Sequence, residues 1–175
     1  MVINGSALLA AKPIIDMCDG KMVGKGGTSF GLGEAGYDIR IKQTIHFSTL
    51  SEKRVVLLDV YDELGQITDA AEVLQGRFAL ASAIEQFQMP EDLVGIVHDK
   101  STWARRGLSV FNTVIEPGWE GFLTLELVYH GEDDLVIPAG SGIAQVMFHK
   151  TAEHACYKGK YQHQGDAPVA AIDSK

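Results

Sequence analysis

Short apolar runs, rich in β-branched and aromatic residues and bounded by turn residues, recur along the chain from residue 37 onward. Such runs predict strands, because a strand with one buried face alternates between apolar and polar positions. Many short strands at near-regular spacing favour a closed or two-sheet antiparallel β architecture. The runs predicted as strands are residues 37–41, 44–50, 54–61, 77–87, 93–98, 122–129, 135–138 and 144–149.

Helix signals are sparse. Residues 5–13 combine good helix formers with a Ser near the start and end at Pro13, and residues 67–76 are compatible with one or two helical turns stopped by Gly76. The glycine-rich piece at 24–36 predicts a flexible surface loop. The chain is therefore expected to be mainly β, with a few short helices.

The length of 175 residues and the hydrophobic share of 46% fit one globular domain with a substantial core. The residues from Tyr157 onward lack periodicity and predict an extended arm. We therefore expect a single domain over residues 1–156 and a C-terminal arm over residues 157–175. No apolar run approaches the roughly 18 residues of a membrane span, so no membrane partner is expected.

Charge and cysteine content narrow the partners and the compartment. The formal net charge of -8 argues against a general nucleic-acid binder, which would need a broad basic surface, but it leaves room for a small anionic ligand in a local basic pocket. Cys18 and Cys156 form neither a disulfide framework nor a zinc ribbon. A reducing, cytoplasmic location is the simplest expectation.

Two short motifs resemble a dinucleotide-binding motif and a zinc-binding motif, but the residues around them do not fit either one. The glycines of "GLGEAG", residues 31–36, match a dinucleotide fingerprint, but a predicted strand follows where that motif needs a helix. The "HGE" of residues 130–132 lacks the downstream P-C-x-x-C that zinc-dependent deaminases require. The histidines show no helical pairing either, so no metal held by protein ligands is expected.

A basic segment and a carboxylate carry the chemistry. The segment "HDKSTWARRGL", residues 98–108, precedes "EPGWEGFLTLEL", residues 116–127, in which Glu126 lies between two leucines. Strand alternation places Glu126 on the same face as Phe122 and Thr124. A carboxylate in that setting needs a partner or a solvated pocket, and Arg105 or Arg106 is the candidate partner. The alternative is an ordinary solvent-facing strand glutamate.

These segments resemble dCTP deaminases, the zinc-independent branch of the trimeric dUTPase superfamily. The resemblance rests on "PEDLVGIVHDKSTWARRGL", "EPGWEGFLTLEL" and "GKYQHQG" in that order, supported by "AGYDIRI" and "LQGRFALASAIEQF". It implies a homotrimer of dUTPase-like fold, a distorted jelly-roll or β-clip barrel. It also implies hydrolytic deamination of dCTP to dUTP and ammonia, a step in pyrimidine deoxynucleotide metabolism.

The resemblance assigns roles in the first two motifs. Glu126 takes the place of the catalytic glutamate, which moves protons between water, the ring nitrogen and the leaving ammonia. Ser101 would hold the attacking water, and Arg105 would lie beside the glutamate. Lys100 and Thr102 would border the triphosphate, although Lys100 stands where the family has an arginine and offers a point charge instead of a bidentate fork.

The resemblance also assigns residues around the substrate. Lys160, Tyr161 and Gln164 match the arm that closes over the nucleotide. The loop at 111–115 is shorter than in the family, which leaves Asn112 and Thr113 as candidates for contacts with the base.

The turn before the catalytic strand adds two more residues to the expected substrate site. Trp119 is expected at the edge of that site, where it also pins the turn to the core. Glu116 stands where dUTPases keep an aspartate, and its extra methylene would misplace a water molecule. This difference argues against the hypothesis that the protein is a dUTPase or a bifunctional enzyme.

The resemblance further implies Mg²⁺ carried by the triphosphate, active sites between subunits, and dTTP as an effector. A dUTPase, or a bifunctional enzyme that releases dUMP, is the first alternative function. A nucleotide-binding trimer without catalysis is the second, and the joint presence of Ser101, Arg105 and Glu126 speaks against it.

Overall fold

The computed structural model describes residues 1–61 and 67–173. Regular structure in this part consists of fourteen mostly short strands, two short helices and a 3₁₀ turn at Lys25–Gly27. The helices are α1 (Gly5–Ala11) and α2 (Ser101–Ala104). The strands are β1 (Val2–Ile3), β2 (Lys21–Val23), β3 (Ser29–Leu32), β4 (Tyr37–Arg40), β5 (Gln43–Leu50), β6 (Lys53–Tyr61), β7 (Ile67–Gln75), β8 (Phe78–Gln88), β9 (Leu93–Asp99), β10 (Leu108–Val110), β11 (Val114–Ile115), β12 (Glu120–Tyr129), β13 (Leu135–Ile137) and β14 (Gly142–Lys150).

The strands form three sheets whose described strand pairs are all antiparallel. The largest has the order β11-β9-β14-β4-β3-β2, with β1 also paired to β14. A second sheet has the order β10-β12-β8, and a third has the order β13-β5-β6-β7. One cluster of buried apolar side chains, including Trp103, Tyr37 and Phe148, lies between them. The predicted mainly β class with few helices is confirmed.

Each of the predicted strands is present within a few residues of its expected bounds. The helix predicted at the start is also present as α1, which stops before Pro13 with Lys12 in a left-handed conformation at φ 49°. Apolar periodicity and turn residues therefore located the framework of the fold correctly.

The helix predicted at 67–76 is wrong, because this segment forms β7. Its register places Val73 opposite Leu57 and Leu74 opposite Val56 of β6. Alanine, glutamate and leucine favour a helix locally, but pairing along the neighbouring strand overrides a propensity worth a few tenths of a kcal/mol per residue.

The flexible loop predicted at 24–36 is also wrong, because β3 runs through it and pairs with both β2 and β4. The glycines serve close packing of backbones there. Gly31 adopts φ +94°, and a Cβ on Gly36 would overlap the carbonyl oxygen of Val146. Glycine in a strand often marks this kind of approach.

Within residues 1–61 and 67–173, no helix is long and apolar enough to cross a membrane. The residues from Tyr157 to Asp173 contain no named strand or helix and lie along the sheet that contains β12. The division into a domain over 1–156 and an arm over 157–175 stays a prediction, and residues 174–175 lie outside the described residues.

Candidate functional site

A cavity of about 520 Å³ opens beside β12. Strands β8 and β12, the turn before β12 and the C-terminal segment form its walls. The walls are mostly apolar, with a few polar groups among them. Its lining residues are Phe78, Leu80, Thr113, Val114, Ile115, Glu116, Trp119, Leu123, Thr124, Glu126, Tyr157, Tyr161, Gln164, Val169 and Ala171.

Glu126 lies on the central strand of its sheet, opposite Leu80 of β8. Its side chain points into the cavity, so the solvent-facing alternative is wrong. Its Oε2 atom is buried without a hydrogen-bond partner among the described residues of the chain. Burial raises the pKa of the Glu126 carboxyl, and a backbone hydrogen bond lowers it to a smaller extent. The carboxyl therefore holds its proton to a higher pH than an exposed glutamate.

The strand alternation around Glu126 is interrupted. Thr124 shares the cavity with Glu126 as predicted, but Leu123 lines it too, and Phe122 does not. The pairing register of β12 against β8 shifts between Phe122 and Thr124, and the extra residues lie in β8, between Ser82 and Gln86. Leu123 adds an apolar side chain to the cavity that Glu126 also lines.

The turn that precedes β12 supplies the polar rim. Thr113, Glu116 and Trp119 line the cavity as predicted, whereas Asn112 is exposed and lies outside it. Trp119 is only 6% exposed and packs against Phe87 with ring centroids 6.1 Å apart. Its indole N–H donates to the carbonyl of Tyr161 at 2.7 Å. The tryptophan therefore links the core, the cavity and the C-terminal segment.

The C-terminal segment extends the sheet of β12. Gly121 and Gln164 form a parallel bridge, the amide of Phe122 donates to the Gln164 carbonyl at 3.0 Å, and the amide of His163 donates to Glu120 at 2.9 Å. Tyr161 and Gln164 thereby reach the cavity as predicted. Lys160 is exposed and does not line it, since its ammonium lies 5.3 Å from the Tyr161 ring centroid and donates to the Ile172 carbonyl.

The last described residues continue over the cavity. Val169 and Ala171 line it, and the amide of Val169 donates to the Thr124 hydroxyl at 3.0 Å. An ion pair between Lys42 and Asp166 fixes the start of this stretch. Sequence reasoning missed Leu80, Leu123, Val169 and Ala171. Strand alternation signalled Thr124, but nothing in the sequence marks Val169 and Ala171 as part of a pocket.

The other predicted catalytic group lies apart from the cavity. Ser101, Thr102 and Arg105 are exposed on or next to α2 and do not line the cavity. Lys100 forms a buried ion pair with Asp38 instead of facing the cavity. One chain therefore presents two separate sets of predicted residues.

The expected contact between Glu126 and Arg105 or Arg106 is not made within one chain. Arg106 lies over the Trp103 ring, 5.0 Å from its centroid. Trp103 anchors α2 to β14, because its indole N–H donates to the Gly142 carbonyl at 2.7 Å. This anchoring fixes α2 away from the cavity of its own chain.

In the part of the chain that the structure describes, no three His, Cys, Asp or Glu side chains lie close enough to hold a metal ion. Phosphate oxygens and water are the ligands that Mg²⁺ commonly keeps at nucleotide sites.

The chain is similar in sequence to proteins of one known family. A family model described as dCTP deaminase-like matches residues 11–151. A dCTP deaminase from Acidobacterium capsulatum is 35% identical over 163 residues, which cover 89% of each chain. A dCTP deaminase from Campylobacter lari is 39% identical over 153 residues, which cover 81% of each chain.

A solved structure shares the fold. The chain resembles 2'-deoxycytidine 5'-triphosphate deaminase from Agrobacterium tumefaciens with a TM-score of 0.52 and 17% sequence identity. The match covers 84% of this chain and 47% of the other, so the chain spans about half the length of that protein. The family model and the two relatives confirm the resemblance that the sequence motifs indicated.

Proposed function

The chain belongs to the dCTP deaminase-like family, and we propose that it catalyses the hydrolytic deamination of dCTP to dUTP and ammonia. The observation that carries the proposal is the Glu126 carboxyl, which is half-buried in a ligand-sized cavity, with one oxygen that has no hydrogen-bond partner among the described residues. A group that must accept and return protons needs this access and a raised pKa.

Glu126 acts as the proton shuttle in the proposed reaction. It takes a proton from water as the water oxygen attacks C4 of cytosine, and it delivers a proton to the adjacent ring nitrogen. The carboxylate next takes the proton of the new C4 hydroxyl and passes it to the amino group, the C4–N4 bond breaks, ammonia leaves, and the C4 carbonyl of uracil forms. One water molecule is consumed and no redox partner is needed.

The proposed enzyme is a homotrimer in which α2 of one subunit completes the cavity of the next. Ser101 would hold the attacking water there, and Arg105 would face the Glu126 carboxyl. Support comes from the separation of these groups within one chain and from the free Oε2 atom of Glu126. Cyclic oligomers commonly place a subunit's surface against a neighbour in this heterologous manner.

The proposed substrate contacts come from the cavity and from the C-terminal arm. Thr113, Trp119 and Tyr161 would surround the nucleotide, with Asn112 at the end of the short loop, while Thr102, Lys160 and Gln164 would approach the triphosphate. Glu116 lies at the cavity wall near the same nucleotide. Mg²⁺ enters as part of the substrate, bound by phosphate oxygens and water. dTTP, a similar triphosphate, would compete for the cavity as an effector.

A cytoplasmic location also forms part of the proposal. Cys18 and Cys156 are both free thiols, and Cys156 is exposed. Exposed free thiols persist in a reducing compartment.

Product identification tests the proposal. The purified protein is incubated with dCTP and Mg²⁺, nucleotides are separated by chromatography, and ammonia is assayed in parallel. We expect equal amounts of dUTP and ammonia, and a loss of about 10²–10⁴-fold in rate for Glu126→Gln, which preserves shape but cannot shuttle protons.

Two outcomes would contradict deamination to dUTP. Accumulation of dUMP in place of dUTP would show that Glu116 supports triphosphate cleavage and that the enzyme is bifunctional. Tight binding of dCTP without any product would indicate a nucleotide-binding protein without catalysis.

A further inference from the structure

A polar cluster lies buried at the junction of β3, β4, β14 and α2, outside the cavity. Asp38 of β4 is 4% exposed, and its Oδ2 atom accepts from the Lys100 ammonium and, at 3.2 Å, from the Ser29 hydroxyl. Lys100 also donates to the Ser29 hydroxyl at 3.0 Å. The side-chain amide of Gln145 donates to Asp38 Oδ1 at 3.4 Å. Both oxygens of the carboxylate are therefore engaged.

The ammonium of Lys100 is turned inward. The side chains of Lys100 and Asp38 are 11% and 5% exposed. Breaking a buried pair by removing one partner leaves an uncompensated charge and is strongly unfavourable, whereas removing both charges together is often tolerated. The ammonium is therefore held by Asp38 and has little freedom to follow a mobile ligand.

The same lysine begins α2. Its carbonyl accepts the amides of Trp103 at 3.0 Å and Ala104 at 3.1 Å. A helix of four residues is far too short to be stable by itself, so tertiary anchors must hold it in place. One anchor is the ion pair of Lys100 with Asp38 at the start of the helix. The other is the indole of Trp103, inside the helix, which donates to the Gly142 carbonyl.

We infer that Asp38 is a positioning residue, which holds Lys100 and through it fixes α2, so that Ser101 and Arg105 are presented in a defined place. Lys100 then acts as the internal counterion of Asp38. The inference rests on the proposed function only for the consequence in catalysis. The anchoring of α2 by Asp38 does not depend on the substrate.

A double-mutant cycle tests the catalytic consequence. Steady-state kinetics with dCTP are measured for Asp38→Asn, Lys100→Met and the double variant. We expect Asp38→Asn to lower kcat about 10- to 100-fold with KM changed less than about 3-fold, because small displacements of catalytic groups lower the rate. The double variant is expected to recover at least about 5-fold of that loss, since it restores charge balance.

An exposed ion pair supplies the matched control. Lys21 and Glu34 lie 3.0 Å apart with side chains 47% and 88% exposed. Lys21→Met, Glu34→Gln and their combination are expected to leave kcat and KM within about 2-fold of the parent, because exposed pairs contribute little.

Amide hydrogen exchange measures how firmly α2 is anchored, and it needs no substrate. In Asp38→Asn the amides of Trp103 and Ala104 are expected to exchange at least about 10-fold faster, with protection restored in the double variant. Unchanged exchange would overturn the inference even if deamination is observed. Faster exchange in a protein that never deaminates dCTP would support the anchoring and refute the proposed function.

Kinetics can also overturn the inference. If Lys100→Met raises KM for dCTP more than about 30-fold with kcat unchanged, the ammonium binds phosphate and is not a counterion. If Asp38→Asn does not fold, the double variant decides: a folded double variant that keeps the parent's protection at the Trp103 and Ala104 amides supports the inference, and one that fails to fold or loses that protection overturns it.

Discussion

At the scale of single residues, the proposed role of Glu126 depends on the environment of its carboxyl group. Apolar neighbours such as Leu80 and Leu123 remove water from it, and no cation of its own chain contacts it among the described residues. Desolvation disfavours the charged form, which is why the carboxyl holds its proton to a higher pH than an exposed glutamate.

The pH dependence of catalysis should report this environment. The ionised form of Glu126 takes the proton from water, so kcat/KM should rise as pH increases through its pKa. Because burial raises that pKa above 4.5, the acid limb of the profile should lie above that pH. Leu80→Thr, which admits water beside the carboxyl, should move the limb toward lower pH. This account would be contradicted if the acid limb lay at the ordinary glutamate pKa of 4.5 and did not move in Leu80→Thr.

At the scale of elements, residues 163–164 of the C-terminal segment bond to the backbone of β12 through a parallel bridge. Gly121 makes this docking possible, since its φ of +140° disfavours other residues. A Cβ there would lie 2.7 Å from the amide nitrogen of Gln164 and 2.8 Å from its carbonyl oxygen. Backbone has to move to relieve such a contact.

Gly121→Ala should therefore release the arm from β12. We expect KM for dCTP to rise about 10-fold or more, because Tyr161 and Gln164 lose their places at the cavity. The amide of His163 should also exchange faster with solvent. Gly165→Ala is the matched control, since a Cβ there meets nothing within 4 Å. Equal behaviour of the two variants would argue against docking at Gly121.

At the scale of the whole molecule, one chain carries two incomplete halves of the predicted site. The cavity holds Glu126 and the arm, while Ser101 and Arg105 lie exposed near α2. Assembly of identical subunits around an axis would place each α2 at a neighbouring cavity.

Subunit mixing should reveal shared sites. Glu126→Gln and Arg105→Ala, each inactive alone, are co-expressed and the mixed trimers are purified. Random mixing should restore roughly a quarter of the parental activity, since each restored site needs an intact Glu126 from one subunit and an intact Arg105 from its neighbour. Co-expression of two different Glu126 variants should restore none. An active monomer on gel filtration would refute the shared site.

Sequence by itself determined most of the longer strands and the family. Alternation around Glu126 and the turn at Pro117-Gly118 predicted β12, and the ordered motifs identified the family and the cavity residues Glu116, Trp119 and Gln164. These signals are local: side-chain periodicity and turn preferences act over a few residues, so they can be read along the chain.

Only the tertiary structure decided which distant residues meet. Lys100 pairs with Asp38, 62 positions away, and the Val169 amide meets Thr124, 45 positions away. Residues 67–75 became a strand because β6 offered a partner. Local propensities are weak compared with such pairings, and the register shift between β12 and β8 also depends on contact between strands. The physical reason is that register and burial depend on neighbours that the linear sequence does not specify.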